Sequence, residues 1–540
     1  MKQMKPETRE PMNAASTQAK EIAREFSRIS KLTESGKGDE AWRVANELYG
    51  KYPKEATPNF VMALILSGKE KWARALPYAE AAEKLAPDNA AYKVFLGKLY
   101  VELDMIEFAS DLLRRALAMD KTLFQAPLAM ANYYLESGQG SRALPYYDLA
   151  LQAAPPAYKG TAHFYRAECL RAMGRLAESE VEYKHVVDMP QHRVSTLTSM
   201  AVLKKNDHES EYAKQIRKEL ERPDLTDDDR SVLLLCLGHL HENGRDYDNA
   251  FQNFTQSRRL LPIGSKIDDF IAQINDIVGN ITPEVFDRFR EFGHKSDKPI
   301  FVVGMPRSGT TLTEQIIGAH SLAQGVGELR RISRMAAFFM RRGGIRQLLD
   351  EMGKVGPDQW KEVPRQYLTL LREVAPEGRY TVDKMPHNFI HLGFIHLCFP
   401  NAKIIHCKRN PLDNFISAFQ GQMNAHHSYS YDQEYYGEYY VQYLRLMDHF
   451  KSVMPDSIYE SQYEALTENP EIEIRNLLNY LGLPWEERCL KHNERQSTVN
   501  TLSYSQVRNP INTGSVGRWR NYETHLAPII AVFEKAGVQI

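Results

Sequence analysis

Ile300-Phe301-Val302-Val303-Gly304-Met305-Pro306-Arg307-Ser308-Gly309-Thr310-Thr311 is the stretch on which the reading of the fold turns. Its first four residues form a short apolar run of the buried-strand kind. A Gly/Ser-rich turn follows at once, and Leu312 to His320 then carries a helical pattern. Strand, turn and helix in that order bring backbone N–H groups and the positive end of a helix dipole to one point, where an anion is favoured. Gly304 and Gly309 have the spacing of the G-x-x-x-x-G-K-[ST] phosphate loop, and Thr311 sits at its Ser/Thr position. Thr310 replaces the lysine, and Arg307 puts a cation inside the loop instead. That lysine reaches the β- and γ-phosphates of nucleoside triphosphates, so its loss argues against ATP or GTP hydrolysis.

Downstream, Asn401 to Lys408 reads as a second strand. It leads into Arg409-Asn410-Pro411 and a helical pattern over Asp413 to Phe419. Strands alternating with helices predict an α/β domain with a parallel sheet. Ser417 lies eight residues after Arg409, two turns into that helix. A bidentate guanidinium, a hydroxyl and a nearby helix N-terminus are chemistry that suits an anion.

Upstream, the texture is repetitive. Ala41, Ala75, Ala109, Ala143 and Ala177 are spaced 34 residues apart. Ala75-Leu76-Pro77-Tyr78 recurs as Ala143-Leu144-Pro145-Tyr146, and Ala86-Pro87 as Ala154-Pro155. A fixed period with a small residue in phase is the mark of a helix-pair repeat. The small residue lets one helix approach the other, and the proline stops the second helix. One pair cannot bury its own apolar face, so several must stack. The period blurs after Ser179, and a further pair is predicted over Ser231 to Leu261. The expected organisation is a tail over 1–19, helical repeats over 20–280, a connection over 281–298 and the α/β domain over 299–540.

Lys+Arg numbers 68 against Asp+Glu 69, so bulk charge offers no case for nucleic acid or an anionic membrane. The five cysteines are widely spaced with no C-x-x-C pair, which predicts free buried thiols and neither a disulfide framework nor a zinc site. No apolar run follows the first lysines, and none reaches the length of a membrane span. The expectation is a cytoplasmic protein with no membrane span.

The 34-residue period resembles the tetratricopeptide repeat. Pro306 to Thr311 after a strand resembles the 5′-phosphosulfate loop of sulfotransferases, and more narrowly that of tyrosylprotein sulfotransferases and repeat-containing bacterial sulfotransferases. The resemblance implies the co-substrate 3′-phosphoadenosine 5′-phosphosulfate, no metal, and transfer of a sulfuryl group to a hydroxyl acceptor, a peptide or protein tyrosine among the candidates. It implies donor binding by Arg307, Ser308, Gly309, Thr310 and Thr311. Arg409 and Ser417 match the 3′-phosphate motif, Tyr463 a turn near the nucleotide, and Arg518 a C-terminal loop residue facing the 3′-phosphate. By the same likeness Glu328 is the base, Lys384 stands near the bridging oxygen, Arg307 holds the sulfuryl oxygens, and Ser503 or Ser505 faces the sulfuryl group. His320 is read as a helix-end residue and not a catalyst. The Tyr-rich stretch from Tyr429 to Tyr443, with His426 and His427 ahead of it, is expected to form a mobile acceptor-side segment, with a catalytic His for small-molecule acceptors and simple aromatic packing as the alternatives. The repeats would recruit acceptor or partner through a concave face.

Two other readings compete. A nucleotide kinase-like enzyme would bind ATP with magnesium. A repeat scaffold with an inactive catalytic half would bind donor without turnover.

Overall fold

The computed structural model describes residues 10–494 and 510–540, apart from 70, 104, 137–138, 204–205, 265, 341–342 and 423–424. The N-terminal half is helical: α1 Glu10–Glu34, α2 Gly38–Lys51, α3 Ala56–Gly68, α4 Trp72–Leu85, α5 Ala90–Glu102, α6 Ile106–Met119, α7 Gln125–Glu136 and α8 Gly140–Ala153. It continues through α9 Lys159–Ala172, α10 Leu176–Lys184, α11 Arg193–Leu203, α12 Glu211–Leu220, α13 Asp227–Asn243 and α14 Tyr247–Arg259. Helix α1 starts inside the stretch read as a tail.

Even-numbered helices α2 to α8 begin at Gly38, Trp72, Ile106 and Gly140, one period apart. Their fourth residues are Ala41, Ala75, Ala109 and Ala143, none more than 1% exposed. A larger side chain there would hold the paired helices apart. The fifth in-phase alanine breaks the pattern. Helix α9 has 14 residues against 12 in α7, and α10 starts two residues late, at Leu176. Its fourth position is Ser179, fully buried and donating from Oγ to the Ala167 carbonyl at 2.8 Å, while Ala177 is exposed.

The chain forms two compact units, one from Met1–Tyr133 with Ala143–Ala162, the other from Tyr134–Arg142 with His163–Ile540. The second unit adds α15 Ile267–Asn280 and α16 Pro283–Arg288 before the sheet. Strands β1 Pro299–Gly304, β2 Ala323–Gly325, β3 Tyr380–Lys384, β4 Lys403–Lys408 and β5 Ile458–Gln462 lie in the order β2-β3-β1-β4-β5, all pairs parallel. The intervening helices are α17 Thr310–Gly318, α18 Arg331–Met340, α19 Gly344–Trp360, α20 Glu362–Val374, α21 Leu392–Cys398, α22 Pro411–Phe419 and α23 Gln433–Val453. Helices α24 Tyr463–Glu468, α25 Pro470–Leu481 and α26 Ala527–Ala536 follow β5.

Strand β1 is buried throughout because both faces of the sheet are covered. Successive side chains point to opposite faces. Ile300 and Val302 join a cluster with Ile316, Val382, Ile405 and Leu477. Phe301 and Val303 join the larger cluster, which takes in Phe251 and Phe254 of α14 and Phe270, Ile274 and Ile277 of α15. The last repeat-like helices therefore share one core with the sheet domain. Polar contacts reinforce this. The buried Arg258 guanidinium donates to the Phe419 carbonyl at 2.8 and 2.6 Å and to the Gly421 carbonyl at 2.5 Å.

The Tyr-rich stretch differs from expectation. Tyr429, Tyr436, Tyr439, Tyr440 and Tyr443 are buried, most of them along α23, and they stack on one another and on Phe270. Aromatic rings at helical spacing supply packing here. All five cysteines are free and buried, as expected. Among the described residues, no helix is long and apolar enough to cross a membrane.

Candidate active site

Every strand of the sheet delivers a sequence-predicted residue at its C-terminal end. Strand β1 runs into the Arg307 loop, β2 precedes Glu328, β3 ends on Lys384, β4 precedes Arg409 and β5 precedes Tyr463. In open parallel sheets this is the edge where ligands bind.

The loop geometry explains its glycines. Gly304 has φ 148°, and a Cβ there would lie 2.4 Å from the Cys407 carbonyl oxygen of the neighbouring strand. Gly309 caps α17 with φ 95°, and a Cβ there would lie 2.7 Å from the Tyr463 ring. Arg307 itself adopts φ 71°, a strained conformation for a residue with a side chain. Ser308, Thr310 and Thr311 are buried at the N-terminus of α17, whose dipole favours negative charge.

Arg307 and Arg409 meet across the gap between β1 and β4. Arg307 Nε donates to Ser417 Oγ at 3.0 Å, and Arg409 Nη1 donates to the Arg307 carbonyl at 2.9 Å. Arg409 also donates to the Ser515 carbonyl at 2.6 Å and lies over the Tyr463 ring, 4.8 Å from its centroid. Burial lowers the Arg307 pKa to about 10, and the charges of Arg409 and Arg518 push the same way. Burial likewise lowers that of Arg409. Cations gathered and desolvated like this favour an anion among them. Two buried donors at the loop, Ser308 Oγ and Arg409 Nε, have no protein partner among the described residues. Buried donors are ordinarily satisfied, so the pair fits oxygens brought by a ligand.

Lys384 is fully buried and donates to Glu328 Oε1 at 2.5 Å. Two other acids hold the loop that carries Glu328. Glu314 accepts from Gly327 N at 2.7 Å, and Asp383 accepts from Leu329 N at 3.4 Å and from the Tyr367 hydroxyl at 2.6 Å. Burial raises the Asp383 carboxyl to about 7, against the pull of the Tyr367 hydrogen bond.

The C-terminal segment is fixed by Asp413, which accepts from Gly517 N at 2.6 Å and Trp519 N at 2.9 Å. Arg518 Nη2 donates to Glu242 of α13 at 2.5 Å and to Gln420 Oε1 at 3.0 Å. Glu242 was not foreseen, because nothing in the sequence near residue 242 marks it. Ser503 and Ser505 lie outside the described residues.

His320 serves structure. Just past the end of α17, its Nδ1 accepts from Leu322 N at 3.1 Å and its Nε2 bonds the Pro484 carbonyl at 3.0 Å, so both ring nitrogens are taken up by backbone. Ligand atoms of His208, His241 and Asp246 lie within 4.8 Å of one another. The two imidazoles are stacked nearly parallel, 12° apart, and His241 is hydrogen-bonded to Asp246, so the rings would have to turn before both could face one ion.

Residues 299–487 match the sulfotransferase family. Protein-tyrosine sulfotransferase 1 of Danio rerio is 26% identical over 242 residues, covering 42% of this chain and 67% of that protein. An uncharacterized protein of Aquifex aeolicus (strain VF5) is 34% identical over 383 residues, covering 68% of this chain. This chain spans about half of that relative's length, 49%. The sulfotransferase domain of the Synechococcus PCC 7002 olefin synthase superposes with a TM-score of 0.34 at 20% identity, over 46% of this chain and 97% of that one. The chain thus follows an array of helix pairs, repeating at 34 residues, with a segment that is similar to the sulfotransferase family over residues 299–487.

Proposed function

We propose that this protein transfers the sulfuryl group of 3′-phosphoadenosine 5′-phosphosulfate to a hydroxyl acceptor, a protein or peptide tyrosine being the first class to try. The carrying observation is the convergence of Arg307, Arg409 and Ser417 beside a strand–turn–helix loop that leaves Ser308 Oγ and Arg409 Nε unsatisfied. In this reading Ser308, Gly309, Thr310 and Thr311 cradle the 5′-phosphosulfate, and Arg307 holds the sulfuryl oxygens. Arg409, Ser417 and Arg518 hold the 3′-phosphate, and Tyr463 packs near the nucleotide. Glu328 accepts the acceptor's proton as the new O–S bond forms. The bond from sulfur to the nucleotide's bridging oxygen breaks, and Lys384 stabilises the charge left there. Positioning and electrostatics supply most of the rate, as in phosphoryl transfer. The tyrosine acceptor rests on the Danio rerio relative's name, and the cytoplasmic setting on the five free thiols.

The test is calorimetric titration with the spent donor, 3′-phosphoadenosine 5′-phosphate, of wild type and Arg409→Ala. The expected loss in the variant exceeds ~1.5 kcal/mol, the scale of a charged hydrogen bond. Binding of ATP–magnesium in place of the spent donor would overturn the reading in favour of a kinase-like enzyme. Binding with no transfer to any hydroxyl acceptor would leave the inactive scaffold.

A further inference from the structure

We infer that Glu242, on helix α13 of the repeat region, is a positioning residue for the nucleotide site, holding Arg518 where it meets the ligand. The inference rests on the donor-site reading above, and it assigns part of that site to a helix outside the sulfotransferase-family match.

The geometry makes Glu242 a hub. Its Oε1 accepts from Arg518 Nη2 at 2.5 Å, from the Tyr522 hydroxyl at 2.8 Å and from Gln420 Nε2 at 3.2 Å. Its Oε2 lies 3.6 Å from His239 Nδ1, and His239 in turn bonds the Gln420 carbonyl through Nε2 at 2.9 Å. Tyr522 and Gln420 are buried and bonded to each other at 3.0 Å. Burial alone would push the Glu242 carboxyl up. His239, Arg518 and Tyr522 outweigh it and bring it down to about 2, so the group is a fixed anion. For Arg518 burial pulls the pKa down, and Glu242 more than restores it.

Arg518 follows Gly517, whose φ of 71° turns the chain, and it sits close enough to Arg307 and Arg409 to depress both. Three guanidinium groups repel one another, and a long flexible side chain at the end of an exposed turn would swing into solvent. A half-buried carboxylate with two further hydrogen-bonded supports prevents that by fixing one guanidinium nitrogen. Pre-setting a cation in this way reduces the ordering cost at binding. The helix is itself anchored, since α13 and α14 share the core of the sheet domain.

The test uses the full chain and calorimetric titration with 3′-phosphoadenosine 5′-phosphate. The proteins compared are wild type, Glu242→Ala, Glu242→Gln, Arg518→Ala and the Glu242→Ala/Arg518→Ala double variant, with Arg409→Ala as control. Glu242→Ala is expected to weaken binding about tenfold, the scale of one charged hydrogen bond. Glu242→Gln, whose amide oxygen still accepts, is expected to recover most of that loss. In the Arg518→Ala background, removing Glu242 should add less than about twofold, because positioning has nothing left to position. Unchanged or tighter binding in Glu242→Ala, no recovery with glutamine, or the same loss in both backgrounds would each overturn the inference. Should Glu242→Ala not fold, Glu242→Asp, which keeps the charge but withdraws it by one methylene, is held to the same outcomes. Wild type that binds no spent donor, with Arg409→Ala no different, overturns the donor-site reading and this inference with it. Binding lost in Arg409→Ala but untouched at Glu242 overturns this inference alone.

Discussion

Lys384 and Glu328, 56 residues apart in sequence, form an ion pair in which the lysine is fully buried and the glutamate 42% exposed. The pair sits at the mouth of the sheet's C-terminal edge, with its buried half at the end of β3 and its open half on the loop after β2. In the proposed reading, the exposed side of Glu328 is where an incoming hydroxyl gives up its proton. Glu328→Gln is expected to lower transfer by about 10²–10⁴-fold, the usual worth of a general base, with spent-donor affinity kept within about threefold. A tyrosine-containing peptide assay beside calorimetry checks this, and a parallel loss of affinity would remove Glu328 from the base role.

Gly304 is pressed against backbone, and backbone cannot rotate away. Gly304→Ala would put a methyl 2.4 Å from the Cys407 carbonyl at a φ of 148°. The expected cost is at least ~2 kcal/mol, read as a lower urea midpoint, together with loss of spent-donor binding. A variant as stable as wild type would show that β1 and β4 can part enough to admit a methyl group.

Asp383 sets a pH dependence. Its folded pKa, about 7, lies above its ordinary 3.8. A raised folded pKa means that its contribution is complete below about pH 4 and fades as pH rises through 7. Urea unfolding between pH 4 and 8 should therefore show a decline in stability that flattens in Asp383→Asn. An Asp383→Asn profile parallel to wild type would mean that the carboxyl titrates normally.

Arg258 ties helix α14 to the turn after α22. Arg258→Ala strands two carbonyls that accept from a buried guanidinium, and should cost about 2–3 kcal/mol in chemical unfolding. A change under about 0.5 kcal/mol, the range of ordinary surface substitutions, would show that water replaces the arginine freely.

The repeat phase makes a matched pair of predictions. Ala109→Leu forces a large side chain between paired helices where no space is left, for about 1–3 kcal/mol. Ala177→Leu, at an exposed position, should change stability by less than about 0.5 kcal/mol. Equal effects at the two sites would contradict the shift seen at α10.

Local signals made much of this legible. The apolar run before Gly304, the glycine spacing and the 34-residue alanine phase are short-range patterns, and the strand, the loop and the first four repeat pairs follow from them. Arg307, Arg409 and Tyr463 could be placed because each leaves a strand of a parallel sheet, whose topology fixes where strand ends gather. The residues that support the site could not be placed. Glu314, Asp383 and Asp413 act on backbone N–H groups of loops brought near only by tertiary packing, and Glu242 reaches Arg518 across 276 positions. The alanine phase failed at residue 177 because lengthening a single helix resets the count. The tyrosines misled because spacing alone does not separate an aromatic core from an aromatic surface.

The core that α13 to α15 share with the sheet bears on how such a chain can change over evolutionary time. Repeat arrays grow and shrink by duplication and loss of whole units, since each unit touches only its neighbours. Helices that fill the core of the sheet domain have lost that licence. Gain or loss of whole repeats is expected only among helices that stay outside that core. The last helix pair has in effect become part of the sheet domain, and its sequence should drift no faster than the sheet beneath it.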